Sequence, residues 1–504
     1  MKKVRYLFVL SCASASAACG TEVATAVVPA DLDSGTTPPE KPPQCTSTRI
    51  TDRLIRSSIS LSESIRYKRT GYYFGLPQDD RIAFSVLNNN VGMVAWVDSA
   101  GSTVHVTPLT ITPDSISLFG TDVPVEGTEL SGLVALSDGF ALLTRRADPG
   151  DSLGEGIQAT YLVRWKDRSE IFRVPLTGTR SIVSAPDNQK RDFPNPVSGY
   201  FNSLSGRLEH NGTHLAAYFS VRGAQGDLYE GSHGDKFVQV DKNGQFVSGW
   251  RMGCRTSLGN RLIAEPTGFL AFCMSNGDLG EPGPQLVTMP GKTTRLAPEN
   301  ATLADYGNFS VAYVGGNFGS AVATSSGYLV AWASRGVRVG TGTDPNPTAG
   351  HDSHEPAVAV LDRERNVVPV PLRWPFLPDN VTKPTSAAVN VHAGVYGSDK
   401  VLLVWESADS PYFRSNYGYS TGTYGGTHFR LVDNNGIAAS EQEDVFEAIA
   451  PNGQDDIVRF PNGDLGWAYV PEARDFQTVL SSSALPNVPP ISKINFVRVR
   501  YCIP

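Results

Sequence analysis

The chain has 504 residues, 40% of them hydrophobic and 18% charged, which is enough apolar mass for a sizeable core and too much for a disordered chain. Its formal charge is -7 and no basic run stands out, so nucleic acid is excluded as a partner, because phosphate binding needs a concentrated Lys/Arg stripe. Gly (49) and Pro (35) are plentiful, and short apolar runs broken by turn residues take the place of helical 3.6-residue periodicity, which is an all-β pattern.

At the start, Lys2, Lys3 and Arg5 precede the apolar stretch "YLFVLSCASASAA". Residues 1–18 therefore read as a signal peptide, too short to remain as a membrane span. The small residues before Cys19 and the glycine after it resemble a bacterial lipobox, in which the chain is cut before the cysteine and lipid is attached to it. Ser16 departs from that pattern, where an aliphatic residue is usual. Ordinary cleavage after Ala15 or Ala17 is the alternative. Cysteine parity favours the lipobox: cutting before Cys19 removes Cys12, commits Cys19 to lipid and leaves Cys45, Cys254, Cys273 and Cys502 to pair. Cutting after Ala17 strands one thiol in an oxidising compartment. Loss of the leader moves the formal charge from -7 to -10. Residues 19–44 carry the lipidated cysteine and a Pro/Thr-rich segment without apolar periodicity, expected to be a disordered tether.

From residue 45 to 504 a single domain is expected, built on one recurring unit: a short strand, a tight turn, then a strongly apolar strand ending in a bulky residue. Its copies are "IAFSVLNNNVGMVAW", "GLVALSDGFALL", "SGRLEHNGTHLAAY", "RLIAEPTGFLAF", "GSAVATSSGYLVAW", "HAGVYGSDKVLLVW" and "DDIVRFPNGDLGW". A second hairpin follows most copies, as in "TYLVRWKDRSEIFRV", "KFVQVDKNGQFV", "AVAVLDRERNVVPV" and "HFRLVDNNGIAA". Asn and Gly accept positive φ, and the Asp side chain bonds the turn backbone. These turns lack the full calcium-loop pattern. Two hairpins per copy give a four-stranded antiparallel blade, and seven blades in a circle protect their sheet edges. The chain resembles the seven-bladed β-propeller superfamily, of the bacterial surface lipoprotein type. It lacks the Trp-Asp, paired-glycine and Asp-box signatures of particular branches. Trp96, Trp332, Trp405 and Trp467 are expected to pack between blades.

Long loops are expected on one face, at residues 145–158, 221–235, 334–355, 406–427 and 471–492, and function concentrates on such loops. In "SPYFRSNYGYSTGTYGG" the residues Tyr412, Phe413, Arg414, Tyr417, Tyr419 and Tyr424 alternate with small polar ones, a composition suited to a protein or carbohydrate partner. The same rings could pack the loop onto its blade. In "GHDSHEP", His351, Asp352, His354 and Glu355 are the right ligand types for zinc. The zinc-protease signatures are missing, and a solvated loop is the plainer reading, so no cofactor is expected. Asp148, Asp151, Asp227 and Asp278 populate the long loops and could supply a glycosidase pair. No catalytic residue follows from the sequence. The expected protein is a monomer of the cell envelope, attached to a membrane through its lipid alone, which binds a protein or carbohydrate. The alternatives are a polysaccharide hydrolase or lyase using loop carboxylates, and a structural envelope protein.

The last copy ends in the strand "INFVRVRYC" with no outer strand to follow it. The segment after Cys45 is the natural donor, since propellers commonly complete one blade from both termini. That closure sets Cys45 beside Cys502 and leaves Cys254 to pair with Cys273.

Overall fold

The computed structural model describes residues 44–503 apart from 67–69, 74–75, 79–80, 149–157, 179–192, 195–205, 223–232, 252, 255–256, 276–282, 290–291, 298–317, 335–354, 369–385, 415–418, 454 and 471–489. The signal peptide, Cys19 and the tether up to residue 43 lie outside the described residues.

Each repeat folds as read: the apolar strand pairs antiparallel with the strand before it and the strand after it. In the fourth repeat Ser257–Glu265, Gly268–Ser275, Gly283–Met289 and Lys292–Arg295 follow in order across one sheet. The second and sixth repeats are four-stranded in the same way, and the seventh is four-stranded with Leu54–Ile65 as its outer strand. In the first, the outer strand is split into Ile116–Leu118 and Val123–Glu126, and in the third the inner strand is split into Phe193–Pro194 and Gly206–His210. The fifth shows three strands among the described residues, and Val367 and Val368 bond back to Leu361 and Val360 where a fourth would begin. A further small hairpin pairs Thr70–Tyr73 with Leu76–Gln78.

The tight turns form for the predicted reason. Asp241 accepts the backbone N–H groups of Asn243 and Gln245 at 2.8 Å, and Asp433 those of Asn435 and Ile437 at 2.9 and 2.8 Å. Gly244 and Gly436 take positive φ in these turns. The Asp oxygens are thus spent on their own turns.

Seven apolar clusters fill seven seams. The first and second blades meet around Val104, Val106, Phe140 and Leu142, and the second and third around Leu143, Leu162 and Phe219. Tyr218 and Cys273 join the third to the fourth, and Phe272 and Trp332 the fourth to the fifth. Leu329 and Trp405 join the fifth to the sixth, and Phe429 and Trp467 the sixth to the seventh. The remaining cluster packs Phe460 and Phe496 of the seventh blade against Phe84 and Trp96 of the first, so the series closes on itself. The chain is a seven-bladed β-propeller. The four expected tryptophans are all buried in these seams.

Closure is also as expected. Strand Leu54–Ile65 is the outer strand of the last blade, pairing with Ile491–Val499 from Leu54↔Val499 to Ser60↔Lys493. Cys45 is bonded to Cys502 and Cys254 to Cys273, which places the domain in an oxidising, non-cytoplasmic compartment. Glu443 of the sixth blade fixes the incoming segment by accepting the N–H groups of Ile50 and Thr51, both at 2.8 Å. One glycine matters to the ring's interior: a Cβ on Gly319 would sit 1.7 Å from the carbonyl oxygen of Val391, so only glycine lets the inner strands of the fifth and sixth blades approach this closely. No helix among the described residues is long and apolar enough to cross a membrane.

Candidate functional site

The inner strands begin at the end of the ring where the inter-blade linkers arrive and where second strands pass to third strands. Five charged residues cluster there. Arg81 precedes the inner strand Ala83–Val86, Arg207 lies in Gly206–His210, Arg261 lies in Ser257–Glu265, and Asp455 and Asp456 precede Val458–Arg459. Asp456 Oδ2 is 2.5 Å from Arg207 Nε and 3.5 Å from Arg81 Nη2, while its Oδ1 is 3.5 Å from Arg261 Nε. The third and fourth blades share no seam with the seventh, so these contacts cross the centre of the ring.

The remaining guanidinium donors are almost all spent on backbone carbonyls. Arg81 Nε reaches Asp455 at 3.0 Å, and its Nη1 reaches the carbonyls of Ser131 and Gly206, the latter at 2.7 Å. Arg207 Nη1 donates to the Gly206 carbonyl at 2.7 Å. Arg261 Nε donates to Gly319 at 2.6 Å and Nη1 to Asn260 at 2.8 Å, and its guanidinium lies over the Phe318 ring. Arg261 Nη2 is buried and has no hydrogen-bond partner among the described residues. Glu209, two residues beyond Arg207 and hence on the same strand face, is half-buried beside the cluster.

Burial and crowding set the charge states. Burial, helped by Arg207, lowers Arg81 to about 10, and the same two causes hold Arg261 well below its ordinary value. Burial acts to raise Asp456, but the charges of Arg207, Arg261 and Arg81 outweigh it and bring it to about 2. Asp455 is pushed up to about 7 by burial against the opposing charge of Arg81. Burial and then the charge of Asp456 push Glu209 up to about 8. Arginine stays protonated in proteins, so at neutral pH three guanidiniums face one firmly ionised carboxylate. A protonated carboxyl and an ionised one side by side are the makings of acid–base chemistry.

The sixth blade contributes a rigid polar wall. Its inner strand, Ser386–Tyr396, bulges between Val389 and His392, and Asn390 adopts φ +54°. Asn390 Nδ2 donates to Glu406 at 2.8 Å and to the Pro451 carbonyl at 2.5 Å, while its Oδ1 meets His392 Nε2 at 2.8 Å. Bulges and left-handed non-glycine residues gather where a sheet must re-aim side chains.

The residues singled out from the sequence are placed differently. The expected aromatic loop at 410–426 is largely a β-ribbon, because strands Lys400–Arg414 and Tyr419–Asp433 run on past the blade and pair Tyr412↔Thr421 and Arg414↔Tyr419. Alternating Tyr, Thr and Ser suit a pleated strand, which outweighs the turn character of the glycines. Tyr412, Phe413, Arg414 and Tyr419 are thus strand positions, and Tyr417 lies outside the described residues. Tyr424 is half-buried, with its hydroxyl 2.8 Å from Thr427 and the Glu447 carbonyl, and packs against Phe446. His351, Asp352 and His354 lie outside the described residues, and Glu355 opens the strand Glu355–Asp362, half-buried, with burial raising it to about 7. Asp148 is buried, while Asp151, Asp227 and Asp278 lie outside the described residues.

A Ser–His–Asp chain in the sixth blade resembles a catalytic triad. Ser407 Oγ is 2.8 Å from His428 Nε2, and His428 Nδ1 is 2.6 Å from Asp444. The ring stacks on Trp405. The first blade repeats the device with Trp96, His105 and Asp122, and there Asp98 holds the serine's place. Recurrence without a nucleophile, and the burial of Ser407, make this a clasp between strands.

Sequence reasoning missed the axial cluster, although a signal was present. Arg207 and Arg261 lie opposite Tyr218 and Phe272 across their hairpins, so they hold one register in two repeats. An Arg before Leu or Ile opens the first, third and fourth copies, as "RIAF", "RLEH" and "RLIA".

No family model and no curated protein matches this chain. Solved structures similar to it include a protein from Lactobacillus plantarum, 12% identical, covering 74% of this chain and 86% of that one at a TM-score of 0.37. The periplasmic gluconolactonase of Pseudomonas aeruginosa is also 12% identical, with 78% and 99% covered and a TM-score of 0.35. Hydrazine synthase of Kuenenia stuttgartiensis is 10% identical, with 67% and 77% covered and a TM-score of 0.34. Likenesses at this level carry no argument about ligand or reaction.

The raised carboxyls make stability depend on pH. Glu209 at about 8 and Asp235 and Glu355 at about 7 owe their shifts first to burial. Between about pH 4 and 8 the folded chain therefore holds protons that the unfolded chain has released, and stability falls as pH rises through that window. Asp456, depressed to about 2, works in the other direction only as pH drops below about 4. Calorimetry should give a melting temperature several degrees higher at pH 5 than at pH 8. A flat or rising profile would contradict the assignment.

Proposed function

We propose that the protein is a lipid-anchored extracytoplasmic β-propeller that binds carbohydrate at the mouth of its central channel, on the face where the inter-blade linkers arrive. The observation that carries this reading is the convergence on the axis of Arg81, Arg207, Arg261, Asp455 and Asp456 from the inner strands and the segments that lead into them. Such a set of paired donors and acceptors in a rigid ring suits a hydroxyl-rich ligand. The ribbon bearing Tyr412, Phe413, Arg414 and Tyr419 leaves the sixth blade at the same end, and Cys19 would carry the lipid. The zinc reading of His351, Asp352, His354 and Glu355 gains nothing from this geometry and forms no part of the proposal. Glycan-array binding by the purified protein tests the reading, with Cys19→Ser moving the protein from membrane to soluble fractions. An array without hits, or unchanged membrane association of the variant, would refute the corresponding half.

A second reading has one specific observation in its favour. Glu209 is held protonated beside the ionised Asp456, the division of labour that a polysaccharide hydrolase or lyase needs. Release of reducing ends from any array-positive glycan, abolished by Glu209→Gln, would establish it.

A further inference from the structure

The geometry points to a carboxylate-bearing carbohydrate, such as a uronic-acid glycan, as the ligand of the axial cluster, with Arg261 as the residue that reads the acid group. This deepens the carbohydrate reading above and rests on it. Arg261 is 3% exposed, two of its three nitrogens are spent on the carbonyls of Gly319 and Asn260, and Nη2 has no partner among the described residues. A buried donor left unsatisfied is costly, and a charged one more so, so the position calls for an acceptor that the described residues do not provide. Asp456 does not fill it, because its Oδ1 is 3.5 Å from Arg261 Nε and its nearer contacts go to Arg207.

Charge balance leads to the same class. At neutral pH Arg81, Arg207 and Arg261 outnumber the ionised carboxylates beside them, because burial holds a proton on Glu209 and partly on Asp455, while the chain as a whole carries -7. An anion is therefore attracted at this point and repelled by the general surface, so specificity is local. A carboxylate accepts a guanidinium fork in the plane of both groups. The neighbouring Asp456, a third of whose side chain is exposed (33%), and the half-buried Glu209 offer acceptors to hydroxyl donors next to that carboxylate. A sugar acid presents a carboxylate and adjacent hydroxyls together. A peptide terminus presents the carboxylate without them.

Titration calorimetry of the purified protein with oligogalacturonate and with its fully methyl-esterified form tests the inference. The free acid should bind at least tenfold more tightly than the ester, added salt should narrow the gap, and Arg261→Gln should remove the preference while Arg261→Lys keeps part of it. If the glutamine variant does not fold, the acid-to-ester ratio of the unaltered protein decides alone. Equal binding of acid and ester would overturn the carboxylate inference and leave carbohydrate binding standing. Binding of neither, nor of any neutral glycan, would sink both. A carboxyl-terminal peptide binding as tightly as the uronate would also overturn the choice of a sugar acid.

Discussion

Replacing Cys45 and Cys502 together by serine is expected to lower stability by about 4–5 kcal/mol, below the ~6 kcal/mol that loop entropy alone gives for so long a loop, because bridges commonly deliver less than that relation. The bridge joins positions 457 residues apart, so it restricts the unfolded chain over nearly its whole length. The native side of the equilibrium makes this bridge special as well. Without it, the closing strand Leu54–Ile65 is held by its ladder to Ile491–Val499 and by Ile59 and Ile65 in the seam between the last and first blades. Loss of that strand exposes the edge of the seventh sheet. The second bridge spans 19 residues, and the same entropy argument gives about 3 kcal/mol for it. Guanidinium unfolding of the two double-serine variants should therefore rank them, with the terminal pair lower. Equal midpoints, or a terminal variant as stable as the parent, would show that closure depends on packing alone.

The architecture was legible because it is written locally and repeated. Each copy carries its own apolar strand and its own tight turn of Gly, Asn, Asp or Ser, so counting copies counted blades. The missing partner of "INFVRVRYC" likewise pointed to the donor strand at the other end of the chain. The site was not legible because it is assembled across the ring. Arg81 and Asp456 are 375 positions apart, and no local pattern marks two residues that meet only when seven blades close. Arg207 and Arg261 also lie on inner strands, where neither loop length nor loop composition sets a charged residue apart. The ribbon around Tyr412 shows the opposite failure. Its small and aromatic residues suggested a loop by composition, but pairing with a neighbouring strand satisfied the backbone and won.

Asp456→Asn is expected to destabilise the fold by about 3 kcal/mol. Breaking one partner out of a buried charge pair costs about 3–5 kcal/mol because the opposing charge is left uncompensated, and the lower end applies here because a third of the Asp456 side chain is exposed (33%). The variant would leave Arg207, Arg81 and Arg261 facing a single carboxylate, Asp455, which burial already holds near pKa 7. The Asp456 charge helps to raise both Asp455 and Glu209, so its removal lowers both, the variant should lose less stability than the parent as pH rises from about 4 to 8, and the penalty should be largest at the acid end of that window. Adding Arg261→Gln removes one of the stranded charges, so the double variant should be more stable than the sum of the two single effects predicts. A diffusible anion should act similarly: inorganic sulfate that enters the cluster stabilises the variant by mass action, more than it stabilises the parent. Additive single and double variants, with no rescue by sulfate, would mean that Asp456 holds the ring together by geometry and that the three arginines are balanced without it.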